Sequence, residues 1–485
     1  MTGKWALSLF ATMVLAGCQD RPSPTQMNAI TASTQVEDFP SSADRRVVVF
    51  AAESVPPDFR SRVEHIGGTL QNSFDSIGVS VVSGLTDSTA ALLAHDGDIR
   101  AVEPDISFQL ASSDDLLSGE SVDAPADAIT VSASAARPQA ASLYLRQWNM
   151  RAIGADRAWD AGYLGTRDVK VVILDTGIDY THPELQGLVD LSLSRSFVPS
   201  EDTVVDRLFP GRAHFTDLLY HGTGVAATIA SNAHQLAGMT QHVTLIAVKV
   251  ADRAARLETS NVIAGIVYAG DVGADVVNVS GGPRFRKSVR PGLIAAYLRA
   301  LNYVWRRGGL VVGVAGNDTL DLDHDGDRVS IPCQAPHTIC MSATGPTVAQ
   351  SVTGPWDNVD SIALYTGFGR STIGVAAPGG QRFTNTRIWL PCTTTPSGVS
   401  PASCRTPLCP VAVRGTCLFE GIGTSWAAPH AVGLAALLVQ QLGHGRPSHI
   451  AQRILQSADD LGEPGVDSYY GHGRINVART LGLEP

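Results

Sequence analysis

The sequence predicts an α/β fold, a mainly parallel sheet flanked by helices, preceded by a small α+β domain. From residue 144 onward, apolar strand-like segments alternate with helical segments, which favours parallel strands joined by helices. The strand-like segments are nearly continuous apolar runs, as in strands that helices cover on both faces. The clearest runs are VKVVIL (169–174), TLIAVKV (244–250), DVVNVS (275–280) and LVVGVA (310–315).

The small α+β domain is predicted over residues 45–110. Strand-like and helical patterns follow one another there as strand, helix, strand, strand, helix, strand, which is the ferredoxin-like split βαβ plan. The strand patterns include VVVF (47–50), VSVV (79–82) and AVEPDISFQL (101–110), and helical spacing covers residues 58–66 and 87–95.

Residues 1–17 have the pattern of an export signal. Lys4 precedes an apolar stretch at residues 5–17, which is too short to span a bilayer but suits a signal peptide. The stretch leads into LAGC (15–18), which matches a bacterial lipobox with Cys18 as the lipidated residue. The alternative is an ordinary signal peptide followed by a chance cysteine. We therefore expect a protein of the bacterial cell envelope, lipid-anchored to a membrane or released extracellularly after processing.

Two further segments have compositions that do not favour a packed core. Residues 18–44 are rich in Ser, Thr, Pro and Gln, which predicts a flexible tether. Residues 111–143 lose almost all large apolar side chains, which predicts a disordered linker. The larger folded domain is predicted to follow this linker over residues 144–485.

Composition narrows the classes of partner. With 44% hydrophobic and 17% charged residues, the chain has the balance of a folded globular protein. Its net charge is −10, and the sequence shows no concentrated basic face of the kind that binds phosphates. We therefore expect no nucleic-acid partner.

The cysteine count favours disulfides. If Cys18 carries the lipid, six of the seven cysteines remain, and an even number in an exported protein is typical of disulfide pairing. Cys333 and Cys340 flank a short loop between predicted strands and are the favoured pair. The pairing of the other four, Cys392, Cys404, Cys409 and Cys417, stays open. A metal site is the weaker alternative because no CxxC pair occurs.

Three motifs carry candidate catalytic residues. Asp175 follows a buried strand in VVILDTGID, His221 begins HGTGVAATIA, and Ser425 opens a helix in GTSWAAPHAVG. Each residue alone has a common structural explanation, such as a turn former, a packed histidine or a helix N-cap. Together, in the order Asp, His, Ser, the motifs resemble those of the subtilisin-like serine protease (subtilase) family. The resemblance covers residues 144–485 and implies a subtilisin-like fold.

The resemblance implies a serine endopeptidase acting on polypeptide substrates without a catalytic cofactor. Ser425 would be the nucleophile, His221 the base and Asp175 its orienting acid. Asn317 of GVAGN would donate to the oxyanion together with the Ser425 N–H group. Residues 45–110 resemble the family's propeptide, an intramolecular inhibitor, which implies a zymogen cut in the linker.

Substrate backbone is expected to pair as an added strand with Ser280, Gly281 and Gly282. NVSGGP is one residue shorter than the usual family segment, and Trp426 replaces a smaller residue after the serine. Both departures concern the specificity pockets and leave the three motifs intact. The insertion at residues 380–419 has no counterpart in compact family members.

The acidic loop DLDHDGD (321–327) predicts a structural calcium site. Its alternating carboxylates around Gly326 suit that cation, although no bidentate Glu follows at the EF-hand spacing. The candidate ligands are Asp321, Asp323, Asp325 and Asp327.

Two alternative functions stay open at this level. One is a catalytically silent, subtilisin-like binding lipoprotein, against which the three motifs and Asn317 argue. The other is an envelope maturation or peptide-transfer enzyme dedicated to one partner.

Overall fold

The N-terminal part of the chain forms a small antiparallel sheet with two helices. The computed structural model describes residues 39–40, 44–110, 137–397, 402–404, 409 and 415–484. Its first elements are β1 (Phe39–Pro40), β2 (Arg45–Phe50), α1 (Phe59–His65), β3 (Thr69–Phe74), β4 (Val79–Ser83), α2 (Asp87–Leu93), β5 (Ile99–Pro104) and β6 (Ile106–Gln109). Four strands pair in the order β3-β4-β2-β5. The predicted small α+β domain is confirmed.

Alternate side chains of β2 pack on opposite faces of this sheet, and both faces are buried. Val48 and Phe50 point to one side, where they pack with Phe59 of α1 and Leu93 of α2. Val47 and Val49 point to the opposite side and join a core that includes helices of the larger domain. Because both faces are covered, the strand is a continuous apolar run rather than an alternating one.

The larger domain begins with short helices and contains fourteen strands among the described residues. Its helices are α3 (Trp148–Ala152), α4 (Ala155–Asp160), α5 (Pro199–Leu208), α6 (His221–Ile229), α7 (Thr259–Asp271), α8 (Pro291–Arg306), α9 (Thr424–Leu442), α10 (Pro447–Gln456) and α11 (Val477–Thr480). Its strands are β7 (Lys170–Asp175), β8 (Arg195–Ser196), β9 (Thr244–Lys249), β10 (Arg256–Glu258), β11 (Val276–Val279), β12 (Arg284–Arg286), β13 (Leu310–Val314), β14 (Arg328–Ser330), β15 (Thr338–Thr344), β16 (Val348–Ala349), β17 (Trp356–Asp357), β18 (Val375–Pro378), β19 (Ile388–Pro391) and β20 (Leu418–Gly421).

Seven parallel strands form the central sheet in the order β18-β15-β13-β11-β7-β9-β8. The four predicted apolar runs are its neighbouring strands β13, β11, β7 and β9, so the predicted α/β fold is confirmed. On β7, Val171 and Ile173 pack in the core that contains α6 and α9. Val172 and Leu174 pack in the other core, with α7 and α8. Alternate residues of one strand therefore serve two helical layers.

The parallel arrangement brings several chain segments to one sheet edge. Strand β7 ends at Asp175, β11 ends just before Ser280, and β13 ends three residues before Asn317. In open α/β sheets the crevice beyond the carboxyl ends of the strands is where functional groups gather. Catalytic groups are therefore expected at this edge of the sheet.

Disulfides close the insertion and one loop of the sheet. Cys333 pairs with Cys340, as predicted, and the other pairs are Cys392 with Cys404 and Cys409 with Cys417. Strand β19 of the insertion pairs antiparallel with β20 and packs against α6. None of the helices in the described part of the chain has the length and apolarity needed to span a membrane.

Candidate active site

Asp175 and His221 form a hydrogen-bonded pair at the carboxyl edge of the sheet. The Nδ1 atom of His221, the first residue of α6, lies 2.8 Å and 3.0 Å from the two carboxylate oxygens of Asp175. The Asp175 side chain is 1% exposed and that of His221 is 12% exposed. A carboxylate only accepts, so this contact requires the proton on Nδ1 and leaves Nε2 as the basic nitrogen of the neutral ring.

The pKa of His221 is raised by the charge of Asp175. Burial lowers the pKa of the imidazole, but the hydrogen bond and charge of Asp175, with a further contribution from the Asp217 charge, outweigh it and raise the pKa overall. As the pH falls, His221 therefore becomes protonated, and stops acting as a base, at a higher pH than an isolated imidazole does.

Ser425 lies at the start of α9, beside this pair. Its hydroxyl donates to the Ser280 carbonyl at 3.2 Å, and within the described part of the chain that carbonyl, rather than His221, is its partner. The ring of the next residue, Trp426, packs on the His221 ring with centroids 4.8 Å apart. The structure thus brings serine and histidine to one place without a direct hydrogen bond between them.

Pro429 affects the Ser425 carbonyl. Pro429 is the sixth residue of α9 and lies beyond the first turn of that helix. Proline has no N–H group, so it cannot donate to the carbonyl four residues earlier, which belongs to Ser425. That carbonyl instead accepts from the Ser280 hydroxyl at 3.4 Å. Two hydrogen bonds of opposite direction therefore join Ser280 and Ser425.

Asn317 reaches the start of α9 from the end of β13. Its Oδ1 atom accepts from the backbone N–H and the hydroxyl of Thr424, at 2.8 Å and 2.9 Å. With Oδ1 held there, the Nδ2 donor is directed to the other side of the amide. Gly423 has φ 152°, and a Cβ at that position would lie 3.4 Å from Nδ2. Thr424, which fixes this orientation, was not among the residues predicted from the sequence.

The segment after β11 lies under the N-terminal part of the chain. A Cβ on Gly281 would come within 2.1 Å of the Leu110 side chain, and one on Gly282 within 1.8 Å of the Ile331 carbonyl. The backbone contact therefore requires glycine at position 282, whereas at position 281 the Leu110 side chain could shift. Leu110, which is 7% exposed, also donates its N–H to Ala255 O at 2.9 Å.

The four carboxylates of the acidic loop do not converge on one point. Two of them pair with arginines, which already supply positive charge. Asp321 accepts from His324, Asp323 from Ser371 and Thr372, Asp325 from Arg284, and Asp327 from Ser288 and Arg286. Over the described ranges no group of three or more His, Cys, Asp or Glu side chains could hold a metal ion. This geometry does not fit the calcium site predicted from the sequence.

A parallel α/β sheet with an Asp–His pair, a helix-initial serine and an adjacent asparagine at its carboxyl edge defines the class of subtilisin-like serine endopeptidases. A sequence profile of this class matches residues 166–473, and the chain belongs to the Subtilase family (Peptidase_S8).

Two relatives show how far the similarity extends. A thermophilic serine proteinase of Bacillus sp. (strain AK1) is 30% identical over 325 residues, which are 66% of this chain and 63% of that protein. Thermitase of Thermoactinomyces vulgaris is 29% identical over 337 residues, 69% of this chain and 96% of thermitase. The chain thus spans less than two thirds of the first relative and nearly all of the second.

A solved structure shares the fold over most of the chain. The epidermin leader peptide processing serine protease of Staphylococcus aureus superimposes with a TM-score of 0.66 and 19% identity. The match covers 91% of this chain and 99% of that protein. The covered share is larger than the region matched by the family profile.

Proposed function

We propose that this protein hydrolyses peptide bonds through an acyl-enzyme, with Asp175, His221 and Ser425 as its catalytic triad, and that it is made as a zymogen. The observation that carries the proposal is the Asp175–His221 pair, buried at the same sheet edge as Ser425. The basic Nε2 atom of His221 and the Ser425 hydroxyl are the two groups that acyl transfer requires.

The first half-reaction follows from these groups. The Ser425 hydroxyl leaves the Ser280 carbonyl and turns to His221, as Oγ gives its proton to Nε2 and bonds to the substrate carbonyl carbon. Asp175 stabilises the imidazolium that forms. Collapse of the intermediate breaks the C–N bond, and His221 returns the proton to the departing amine. Water then repeats the sequence on the acyl-enzyme and regenerates the Ser425 hydroxyl.

Asn317 supports the oxyanion in both half-reactions. Since Thr424 holds its Oδ1 atom, the Nδ2 group is already oriented when negative charge develops. The Ser425 N–H group is the proposed second donor, because N–H groups in the first turn of a helix have no partner within the helix. One such preorganised donor is worth about 10²–10³ in kcat.

The zymogen proposal rests on how residues 45–110 meet the larger domain. Strand β6 pairs antiparallel with β10, in the register Gln109 with Arg256 and Ser107 with Glu258. Leu110 follows this strand and lies over Gly281, where substrate backbone is proposed to bind. The N-terminal segment therefore approaches the site in the manner of an added substrate strand, which supports inhibition before processing.

Two carboxylates of the same segment cap helices of the larger domain. Asp105 accepts from the Ser260 N–H at 3.0 Å, at the start of α7. Glu103 accepts from the Gly292 N–H at 2.5 Å, at the start of α8. Unpaired N–H groups and the helix dipole attract negative charge at such positions. These contacts support a role in folding as well as in inhibition.

We predict that a reporter phosphonate directed at active serines will label Ser425 only in chains that have been cut between Ala111 and Ala141. The reason is that Leu110 of the uncut chain lies over Gly281 in the proposed substrate site, whereas cutting allows residues 45–110 to leave. The measurement is N-terminal sequencing and peptide mapping of the labelled protein. No labelling in any form would refute the peptidase proposal. A labelled chain that still begins at residue 18 or 19 would refute only the zymogen.

We also propose that the chain is attached to a membrane through a lipid on Cys18, which lies outside the described residues. A relative named as a minor extracellular protease of Bacillus subtilis (strain 168) fits export, and three disulfides require an oxidising compartment. Because Cys18 precedes the proposed cut, the anchor stays with residues 45–110. The peptidase then keeps its place only while the two parts remain bound.

Mass spectrometry of unreduced protein extracted from the envelope should show acylation of Cys18 and no free thiol. The six other cysteines are all paired in the structure, so no thiol remains to be alkylated. Replacement of Cys18 by serine should release the protein from the membrane fraction without changing its thiol content. An unmodified Cys18 in membrane-bound protein would contradict the anchor.

A further inference from the structure

Asp217, four residues before His221, is a heavily hydrogen-bonded buried carboxylate beside the site. Its side chain is fully buried and accepts five hydrogen bonds. One oxygen takes the Thr176 hydroxyl and the N–H groups of Leu219 and Tyr220, and the other takes the N–H and hydroxyl of Thr223. All five partners donate, which suits an ionised carboxylate.

These bonds connect the two catalytic elements. Thr176 follows Asp175 and donates its N–H to that carboxylate at 2.7 Å. The Thr176 hydroxyl donates to Asp217 at 2.9 Å and accepts from the Gly222 N–H at 2.9 Å. Thr223 lies two residues beyond His221. Asp217 therefore joins the end of β7 to the first turn of α6, on both sides of His221.

A buried lysine balances the negative charge. Lys249 is fully buried, lies opposite Asp175 in the β7–β9 register, and donates to the carbonyls of Thr176 and Thr216 at 2.9 Å and 3.1 Å. Its ammonium group lies 3.7 Å from Glu201. Burial raises the pKa of Asp217, while its hydrogen bonds and the charge of Lys249 oppose that rise.

Residues of the insertion also form hydrogen bonds with the main chain at Asp217. The hydroxyls of Thr393 and Thr395 both donate to the Asp217 main-chain carbonyl, each at 2.9 Å. The N–H of Ser397 donates to the next carbonyl, that of Leu218. Cys392 immediately precedes these residues, and its disulfide to Cys404 closes this part of the insertion.

We propose that Asp217 is a positioning residue that fixes His221 against Asp175, and that the disulfide-closed insertion holds Asp217 in place through Thr393 and Thr395. The inference rests on the proposed function and extends it. It assigns the insertion a role in arranging the catalytic pair, in addition to any role in substrate access.

Asp217→Asn is expected to lower kcat by about 10- to 100-fold, because small misplacements of catalytic groups have effects of this size. KM should change little, since Asp217 does not touch the substrate strand. The carboxylates that face His221 are Asp175 and Asp217, and Lys249 and Glu201 lie behind Asp217. Removing one negative charge lowers the pKa of His221, so the acid limb of kcat/KM should move to lower pH.

Two further variants separate positioning from general stability. Glu201→Gln changes a buried carboxylate on the other side of Lys249 and should leave kcat and the acid limb unchanged. Thr393→Val with Thr395→Val removes both bonds to the Asp217 carbonyl without changing a charge. The double threonine variant should lower kcat, while the acid limb of kcat/KM stays at the same pH. Rates are taken per phosphonate-titrated site, so unfolded protein does not count.

The proposal is overturned if Asp217→Asn loses activity without moving the acid limb, or if the threonine pair keeps full kcat. If Asp217→Asn does not fold, the threonine pair alone decides. Wild-type protein that reacts with the phosphonate while these variants behave as wild type would reject the positioning role and leave the proposed peptidase function intact.

Discussion

Ser425→Ala is expected to lower kcat by about 10⁶-fold, the loss found when the nucleophile of subtilisin is removed. The hydroxyl oxygen is the atom of Ser425 proposed to bond to the substrate carbonyl carbon. The substitution removes one hydrogen bond, to the Ser280 carbonyl, and leaves α9 intact. Initial rates on a peptide substrate, with thermal unfolding measured alongside, provide the test.

The same substitution should stop self-processing. If the chain cuts its own linker, the Ser425→Ala protein will accumulate uncut, and added wild-type enzyme will restore cleavage. Ser457→Ala is the matched control, since this buried serine bonds to Thr480 between C-terminal elements and not to the site. Activity of Ser425→Ala within tenfold of wild type would show that the triad is assigned wrongly.

Local sequence patterns were sufficient for four neighbouring strands of the central sheet, β13, β11, β7 and β9. Its strands are covered on both faces, so each apolar run, such as 169–174, has to be continuous, and continuity is visible in the sequence. The small domain was also predictable because its alternating elements are short and regular. Both are local properties, and neither depends on which distant residues meet.

The hydrogen bonds that connect Asp217 to the catalytic elements and to the insertion could not be predicted from local patterns. Asp217 and Thr176 are 41 residues apart in sequence, and Thr393 is 176 residues from Asp217. Neither threonine lies in a pattern that predicts its partner. A buried carboxylate four residues before His221 was a weak signal, because an Asp in a loop is usually solvated.

Long-range contacts also explain why the structure of the acidic loop does not fit the predicted calcium site. Its alternating carboxylates suggest a cation site, but the sequence does not show that Arg284 and Arg286 come from a neighbouring strand pair, β12 with β14. In the structure these arginines and the hydroxyls of other segments pair with the carboxylates. The hydrogen bond from Ser280 to the Ser425 carbonyl was hidden for a similar reason, since it depends on the proline at position 429 and on a residue 145 positions away in sequence.

Asp175→Asn is expected to lower kcat by about 10⁴-fold, as the equivalent change does in the trypsin template. An amide in this position presents an N–H group to His221 and favours the tautomer with the proton on Nε2, which cannot accept from Ser425. The change also removes the charge that raises the pKa of His221. The remaining activity should therefore show an acid limb at lower pH than wild type, measured as kcat/KM against pH.

Asp179→Asn is the control that separates a change in the His221 tautomer from the loss of a buried charge on the loop. Asp179 is a fully buried carboxylate on the same loop, and it accepts from Thr181 and Thr394 rather than from His221. Its amide variant removes a buried charge and perturbs the loop without presenting a donor to the imidazole. A loss much smaller than that of Asp175→Asn is expected. Equal losses in the two variants, with no movement of the acid limb in either, would mean that Asp175 acts by holding the loop and not by orienting His221.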